Sequence, residues 1–405
     1  MSLTLTRRHN VDRFGYLIPH RYGNLPMVGA VATYRPGEGR FGGAVAVEEG
    51  TENRIATPTT FAGWAIGGEN AVLDNDGSFY PSQVKFARVR TTSWGFQSNS
   101  IPAANGQTWS VSYIARRGTG DGEPRAAIMI MNANNVHASN ITPTFSSRNI
   151  GGGWVRYEDT FTINREDTGY IRLRFSVTAT NGGYHDFALP QLEQKPFATS
   201  FVDGTRAVGR LSYPKSLIAG LNALTVAAWT PGPPYWVSGY RYLVAAQTSE
   251  TSPFGDLFVL RQTGSNNHIR LWVRNDANSA NVEIVYNNVW DGNWHLIVGV
   301  INKSPEPGRQ PIELYVDGEL GASSSNVDAV PDLSNINETW GVRVGHWYGS
   351  GQWNGLIDEL LILPYAASEE EIVSWYEAQG PLPPHPQASL QWDRQTVRPV
   401  QMVKL

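Results

Sequence analysis

Residues 345–380 read GHWYGSGQWNGLIDELLILPYAASEEEIVSWYEAQG. Trp347, Tyr348 and Trp353 crowd one Gly-rich turn, and Asn354-Gly355 leads into the apolar run 356–363, which reads as a strand. A helix follows it. Ser368 is a good N-cap, and Glu371 three residues on completes a capping box. Ile372, Val373, Trp375 and Tyr376 give the helix one apolar face, and Gly380 with Pro381 stops it. A strand followed closely by an amphipathic helix implies a sheet for both to pack on.

The rest of the chain supplies strands for it. Upstream lie LTVAAWT (224–230), RYLVAAQ (241–247), DLFVLRQ (256–262), HIRLWVRN (268–275), NVEIVYN (281–287), WHLIVGVIN (294–302) and IELYVDG (312–318). An earlier series runs QVKFARVRT (83–91), TWSVSYIARR (108–117), RAAIMIMNA (125–133), WVRYEDTFTI (154–163) and YIRLRFSVTA (170–179). In the last, Ile171, Leu173 and Phe175 alternate with Arg172 and Arg174, the pattern of an antiparallel sheet with one buried and one wet face. Frequent Gly (41) and Pro (25) with only 17 % charged residues fit a turn-rich all-β chain. At 405 residues the chain exceeds one ordinary core.

The expected fold class is therefore all-β: two antiparallel β-sandwich (jelly-roll) domains, one short helix on the C-terminal side, and extended arms at both ends. The expected organisation is an N-terminal arm at 1–38 and a first strand at 39–55. A first jelly roll at 56–196 and a second at 197–380 follow, with a Pro-rich tail at 381–405. Gly37, Gly39 and Gly42 match G-x-G-x-x-G, but a Pro-Gly turn precedes and a strand follows, so no dinucleotide site is expected. The net charge of −4 with scattered Lys and Arg gives no basic stripe, which argues against nucleic acid. The absence of cysteine removes disulfides and thiolate chemistry. The first residues carry no apolar core of a secretory signal, and no run of about 18 apolar residues occurs, so neither export by that route nor membrane insertion is expected.

Four motifs resemble, in order, the concanavalin A-like, laminin G-like jelly-roll family: LTVAAWT, DGNWHLIVGV, IELYVDGEL and NGLIDELLILPYAASEEEI. The resemblance makes Trp229, Trp294, His295, Tyr315, Asp317, Gly318, Gly355, Asp358 and Glu359 a structural fold signature. The earlier unit resembles carbohydrate-binding-module jelly rolls. Its flanks, GRFGGAVAVEEGTENRI and PQLEQKPFATSFVDGTRA, resemble those of such modules in bacteriophage and prophage structural proteins. GRFGGAVAV also resembles the laminin G-like family's first strand, which implies that the carbohydrate-module-like unit is inserted into the second jelly roll.

Catalytic chemistry is not expected. Asp358 and Glu359 are adjacent in a strand and so point to opposite faces. Glycosidic carboxylates must flank one bond about 5–9.5 Å apart. Glucanases of the resembled fold place acids in a pattern like E-x-D-x-x-E, which GLIDELLIL lacks. His295 is read as a satisfied, partly buried residue. Neither H-E-x-x-H nor G-x-S-x-G occurs. A structural Ca²⁺ would be held by Asp74, Asp76 or Glu52 at loop ends. Sugar recognition wants exposed aromatic faces beside polar groups. Three clusters offer both: Trp94 with Phe96; Tyr235, Trp236 and Tyr240, with Tyr242 nearby; and Trp347, Tyr348 and Trp353.

The resemblances imply a non-enzymatic bacteriophage virion structural protein, a tail fibre, other appendage or head-associated protein, with adhesive modules. It would be assembled in the host cytoplasm and released by lysis. Its partners would be other virion proteins, reached through the N-terminal arm or C-terminal tail, a host-surface glycan, and further copies of itself as a trimer or other multimer. The alternatives are a secreted or surface bacterial glycan-binding accessory protein, and a capsid decoration protein that binds only virion subunits.

Overall fold

The computed structural model describes residues 32–40, 42–74, 76, 84–90, 95–119, 122–177, 183–233, 239–248, 256–263, 267–336, 341–347, 351–378, 392–393 and 398–399. The fold class is as expected: antiparallel sheets throughout, with one α-helix, Glu369–Glu377, among the described residues. The chain divides into two compact units. One takes in the described residues up to Glu49 and from Val208 onward, and the other is Gly50–Ala207. The breaks at 49/50 and 207/208 differ from the 55/56 and 196/197 read from sequence. The cause is local: Thr51–Glu52 pairs with Thr205–Arg206 inside the second unit.

The first unit is a sandwich of two sheets. The seven-stranded sheet runs Thr33–Gly39, Gly42–Ala46, Leu356–Leu363, Ala223–Thr230, His295–Asn302, Ile312–Val316, Glu319–Ser324. Val45 pairs with Ile357 and Ala46 with Leu356, so a strand from before the second unit lies beside the strand that closes the sandwich. The six-stranded sheet runs Leu211–Tyr213, Val342–Val344, Tyr240–Gln247, Asp256–Thr263, His268–Arg274, Asn281–Asn287. Between the sheets lie Val226, Leu243, Phe258, Leu271, Ile297 and Ile362.

The helix explains why several strands read as unbroken apolar runs rather than alternating ones. Ile372 and Trp375 cover the outer face of the seven-stranded sheet, meeting Trp229, Val298, Tyr315 and Leu361. Those strands are thus buried on both faces. Each buried helix side chain contributes about 1.5–3 kcal/mol. The capping box forms as read: Ser368 Oγ accepts from Glu371 N at 3.2 Å, and Glu371 Oε2 accepts from Ser368 N at 3.1 Å. Gly380 and Pro381 lie outside the described residues.

Two of the resembled motifs meet in one device. Asp317 (φ 54°) and Gly318 (φ 85°) make the two left-handed residues of a type I′ hairpin turn between Val316 and Glu319. From that turn Asp317 Oδ1 accepts the backbone N–H of Leu296 at 2.9 Å, and Oδ2 meets His295 Nδ1 at 2.7 Å. Trp294 packs at the edge of the helix-covered layer, and Trp229 stacks on Tyr376 at 5.9 Å. Gly355 is required by space: a Cβ there would lie 2.2 Å from the carbonyl oxygen of Gly232. The alternation expected at Asp358 and Glu359 is corrected. Ala227 pairs with Leu361 but Trp229 with Asp358, a β-bulge, and Glu359 takes φ 50°. Asp358 Oδ1 accepts the Glu359 N–H at 2.9 Å, and both carboxylates are buried.

The second unit is also a two-sheet sandwich. One sheet runs Ser146–Gly151, Trp154–Thr162, Thr108–Arg117, His185–Glu193, Phe86–Val89, Ala71–Leu73. The other is led by Pro124–Asn132 and Thr168–Val177. Ile171, Leu173, Phe175 and Val177 point inward and Arg172 and Arg174 outward, as the alternation predicts. The joint sequences close the unit. Asn53 Nδ2 donates to the carbonyls of Pro190 and Val202, both at 3.0 Å, while its Oδ1 accepts from Ile55 N and Leu192 N. Glu193 accepts from Thr199 N at 2.9 Å, from Thr199 Oγ1 at 2.7 Å, and from Thr51 Oγ1. These groups are buried but bonded, which is what makes their burial tolerable.

The arms contribute little that is described. Residues 1–31 lie outside it, and in the tail Trp392–Asp393 pairs with Arg398–Pro399 where an extended segment was expected.

Candidate functional site

Because successive strand residues point to opposite faces, the six-stranded sheet presents a second face, away from the core. Residues paired across strands share a face, so the register lays this one out as a grid. Tyr242, Arg261 and Arg270 form one row. Arg343, Ala245, Val259, Trp272 and Glu283 form the next. Gln247 and Asp256 begin a third. The intervening Val244, Leu260, Leu271 and Ile284 face the core.

Aromatic rings gather on this face. Trp347 stacks on Tyr242 with centroids 5.7 Å apart and planes 13° apart, and Tyr240 lies 6.1 Å from Tyr242. The Arg261 guanidinium sits over Tyr240 at 4.5 Å and over Trp272 at 5.4 Å. Tyr240 is 50 % exposed, while Tyr242 is buried beneath its neighbours. Two of the three aromatic clusters read from sequence therefore meet, through Tyr240 and Trp347. Tyr235, Trp236, Tyr348 and Trp94 lie outside the described residues.

Two expected glycan contacts are corrected. Phe96 is fully buried in the core of the second unit, 5.8 Å from Phe61. Trp353 is fully buried in the first: its indole N–H donates to Thr230 Oγ1 at 2.9 Å and its ring lies edge-on to Trp290 at 5.7 Å. The proposed calcium ligands are corrected too. Asp74 pairs with Lys85 at 2.8 Å, Asp76 with Arg116 at 2.8 Å and Glu52 with Arg54 at 3.2 Å. They are engaged with cations at separate places and do not fit a calcium cage. No group of three or more acidic or histidine side chains suited to a metal occurs among the described residues.

Charge is woven through the aromatic face. Arg261 bridges Asp256 at 3.4 Å and Glu283 at 3.0 Å, and Arg270 holds Glu283 at 2.6 Å. Arg270 Nε donates to His268 Nε2 at 2.7 Å. Burial, and next the charge of Arg270, pull the His268 pKa down, so the imidazole stays neutral and can accept. Burial pushes the Asp256 pKa up, against the opposing pull of Gln247 and three arginines. At the edge of the face His346 is buried. Its Nε2 lies 3.1 Å from the Leu211 carbonyl oxygen and 3.4 Å from Ser212 Oγ, and its Nδ1 meets the carbonyl oxygen of Trp347. Burial is the main cause that brings its pKa down to about 4.

The sequence reading missed Arg261 and Trp272. The signal was present in the alternation of HIRLWVR, where Arg270, Trp272 and Arg274 fall on one side. A cleft of about 560 Å³ lies in the other unit, lined by Glu52, Arg54, Asn99, Gln194 and Asp203 among others. Its Trp109 is buried, so this cleft offers no aromatic platform. No helix among the described residues is long and apolar enough to cross a membrane.

No curated protein matches the chain. Among solved structures the chain is similar to the native heptameric SAP-like pentraxin from Limulus polyphemus, at 18 % identity over 40 % of this chain and 73 % of that one, with a TM-score of 0.30. It is similar to the CBM40 of the Ruminococcus gnavus IT-sialidase, at 17 % identity over 40 % and 84 %, TM-score 0.32. The CBM22-1 xylan-binding domain of Paenibacillus barcinonensis Xyn10C matches at 15 % identity over 37 % and 99 %, TM-score 0.28. Residues 203–373 match the Laminin_G_3 family, described as the concanavalin A-like lectin/glucanases superfamily. The sandwich that the 345–380 stretch closes is thus a concanavalin A-like, laminin G-like jelly-roll domain.

Proposed function

We propose that the chain is a non-enzymatic protein that binds glycan on the outer face of its six-stranded sheet, and that it serves as a structural part of a bacteriophage virion. The glycan reading is carried by one observation. Arg261 lies between Tyr240 and Trp272, beside the stacked pair Tyr242 and Trp347. A flat aromatic surface suits the apolar face of a sugar ring, and the adjoining charged groups suit its hydroxyls. The non-enzymatic reading is supported by the state of the carboxylates. Asp358 and Glu359 are buried at a bulge in the other sheet. Asp256 is 1 % exposed, and Glu283 is held by two arginines.

The virion reading is supported by the joint sequences, whose likeness to module flanks in phage and prophage structural proteins coincides with the buried clamp of Asn53, Gln191 and Glu193. In it, the protein is a tail fibre, appendage or head-associated component. It docks through the N-terminal arm or C-terminal tail, as a trimer or other multimer, and leaves the host by lysis. Two experiments test the proposal. Tyr240→Ala and Trp272→Ala should each lower glycan affinity on an array of soluble oligosaccharides by about tenfold, the order of one lost stacking contact. Binding left unchanged by both variants refutes this face as the site. Immunogold labelling of particles from the source culture should decorate tails or capsids, and label confined to cell envelopes favours the secreted accessory protein instead. Labelled particles without glycan binding favour the decoration protein.

A further inference from the structure

Among the described residues, the aromatic face is short of hydrogen-bond acceptors. Arg261, Arg270, Arg274 and Arg343 stand on it against only two carboxylates among the described residues, Asp256 and Glu283; both of these are bound by Arg261 or Arg270, and Arg343 donates to Gln247 Oε1 at 2.5 Å. Arg274 is left over. It is 4 % exposed, its Nε donates to the backbone carbonyl of Asp256 at 2.9 Å, and it forms no ion pair among the described residues. Its pKa is pulled down by burial, and Asp256 and Asp276 offset this only through their more distant charge.

The other unmet groups on this face are donors as well. The indole N–H of Trp272, the indole N–H of Trp347 and Nε of Arg261 are sealed from solvent with no acceptor. Gln262 Oε1, an unmet acceptor on the same strands, falls on the other side by alternation with Arg261. Buried polar groups normally have partners, and a buried cation without an anion is the most costly exception. A neutral sugar brings hydroxyls that donate as much as they accept. An anionic group brings acceptors alone and forms the stronger, charge-assisted bonds to guanidinium.

We infer that the ligand of this face is an acidic glycan, whose anionic group meets the row of guanidiniums while its sugar ring lies against Tyr240 and Trp272. This rests on the glycan-binding reading above and narrows it. Carboxylate-bearing and phosphate-bearing glycans share the required chemistry.

The test is isothermal titration of the full chain with three probes of similar length: an oligogalacturonate, a glycerol-phosphate oligomer and a neutral xylo-oligosaccharide. An acidic probe should bind on the order of tenfold more tightly than the neutral one, the equivalent of one charge-assisted hydrogen bond. That advantage should shrink as sodium chloride is added. Which acidic probe binds better identifies the source of the anion. Arg270→Gln should remove the advantage, bringing the acidic probe to the level of the neutral one. Arg274→Gln should abolish the rise in melting temperature that the acidic probe gives the unaltered chain. It also relieves an uncompensated charge, so its own melting temperature should not fall. Equal or tighter binding of the neutral probe overturns the acidic inference and leaves glycan binding standing. Acidic preference that survives both arginine substitutions places the anion elsewhere and also overturns it. Binding of none of the three overturns both readings.

Discussion

Lowering the pH from 7 to 4 should weaken the laminin G-like unit through one residue, His346. The ring is 3 % exposed. The carbonyl oxygens of Leu211 and Trp347 beside its nitrogens favour the protonated form, but burial is the larger effect, and Arg343 adds to it. The pKa falls from 6.5 to about 4 as a result. Between those values the unfolded chain binds a proton that the folded chain refuses, so stability falls as pH falls. The contribution of the neutral ring is fully present above pH 6.5 and fully lost below about 4. At 1.36 kcal/mol per pKa unit the whole span is worth about 3 kcal/mol. Urea unfolding at several pH values, on the unaltered chain and on His346→Gln, isolates this share. Other groups titrate in both proteins and cancel in the difference. The variant should lose about 2–3 kcal/mol less than the parent on acidification. The imidazole should also show an NMR titration midpoint well below 6. A midpoint near 6.5, or equal acid sensitivity in both proteins, would refute the reasoning.

Two further substitutions probe the scaffold. Asp317→Ala removes the acceptor of the Leu296 N–H and the partner of His295, and places a less tolerant side chain at a left-handed residue, so unfolding free energy should drop by about 2–3 kcal/mol. The Asp317 hydrogen bond is also the first cause of the raised pKa of His295, so in the variant that imidazole should titrate lower by NMR. Asn53→Ala takes four hydrogen bonds out of the clamp of the second unit and should cost about 2–4 kcal/mol there, seen as faster hydrogen exchange at Leu192 and Val202 with the first unit unchanged.

Much of the architecture was legible because it is written locally. A capping box needs two residues at a fixed spacing, and Ser368 and Glu371 supply it. The Asp-Gly pair at 317–318 states its turn type directly. The bulge at Glu359 was not legible, since it depends on how Trp229 and Ala227 meet the closing strand. The candidate site was half legible. Tyr240 and Trp347 are remote in sequence, and only the pairing of strands Tyr240–Gln247 and Val342–Val344 brings their segments together. Phe96 and Trp353 were misread for the same reason. An aromatic residue beside a Gly-rich turn has the same local pattern whether it faces water or core. For Trp353 the answer lies in Thr230 and Trp290, on distant strands. Asp74 and Asp76 looked like metal ligands because Lys85 and Arg116, which engage them, are not their neighbours in sequence.

The pairing of Val45 with Ile357 also sets a timetable for the nascent chain. Domains tend to fold as they are synthesised. Gly50–Ala207 holds all the partners of its own sheets, so it can be complete early. The strand Gly42–Ala46 emerges before that unit, just after its outer neighbour Thr33–Gly39, yet its inner neighbour is among the last segments made. Until then the apolar run Ala44–Val47 has an open edge, the kind of segment that recruits other chains into sheets. Slow elongation through residues 208–363 prolongs that exposure, and faster translation or an early chaperone shortens it.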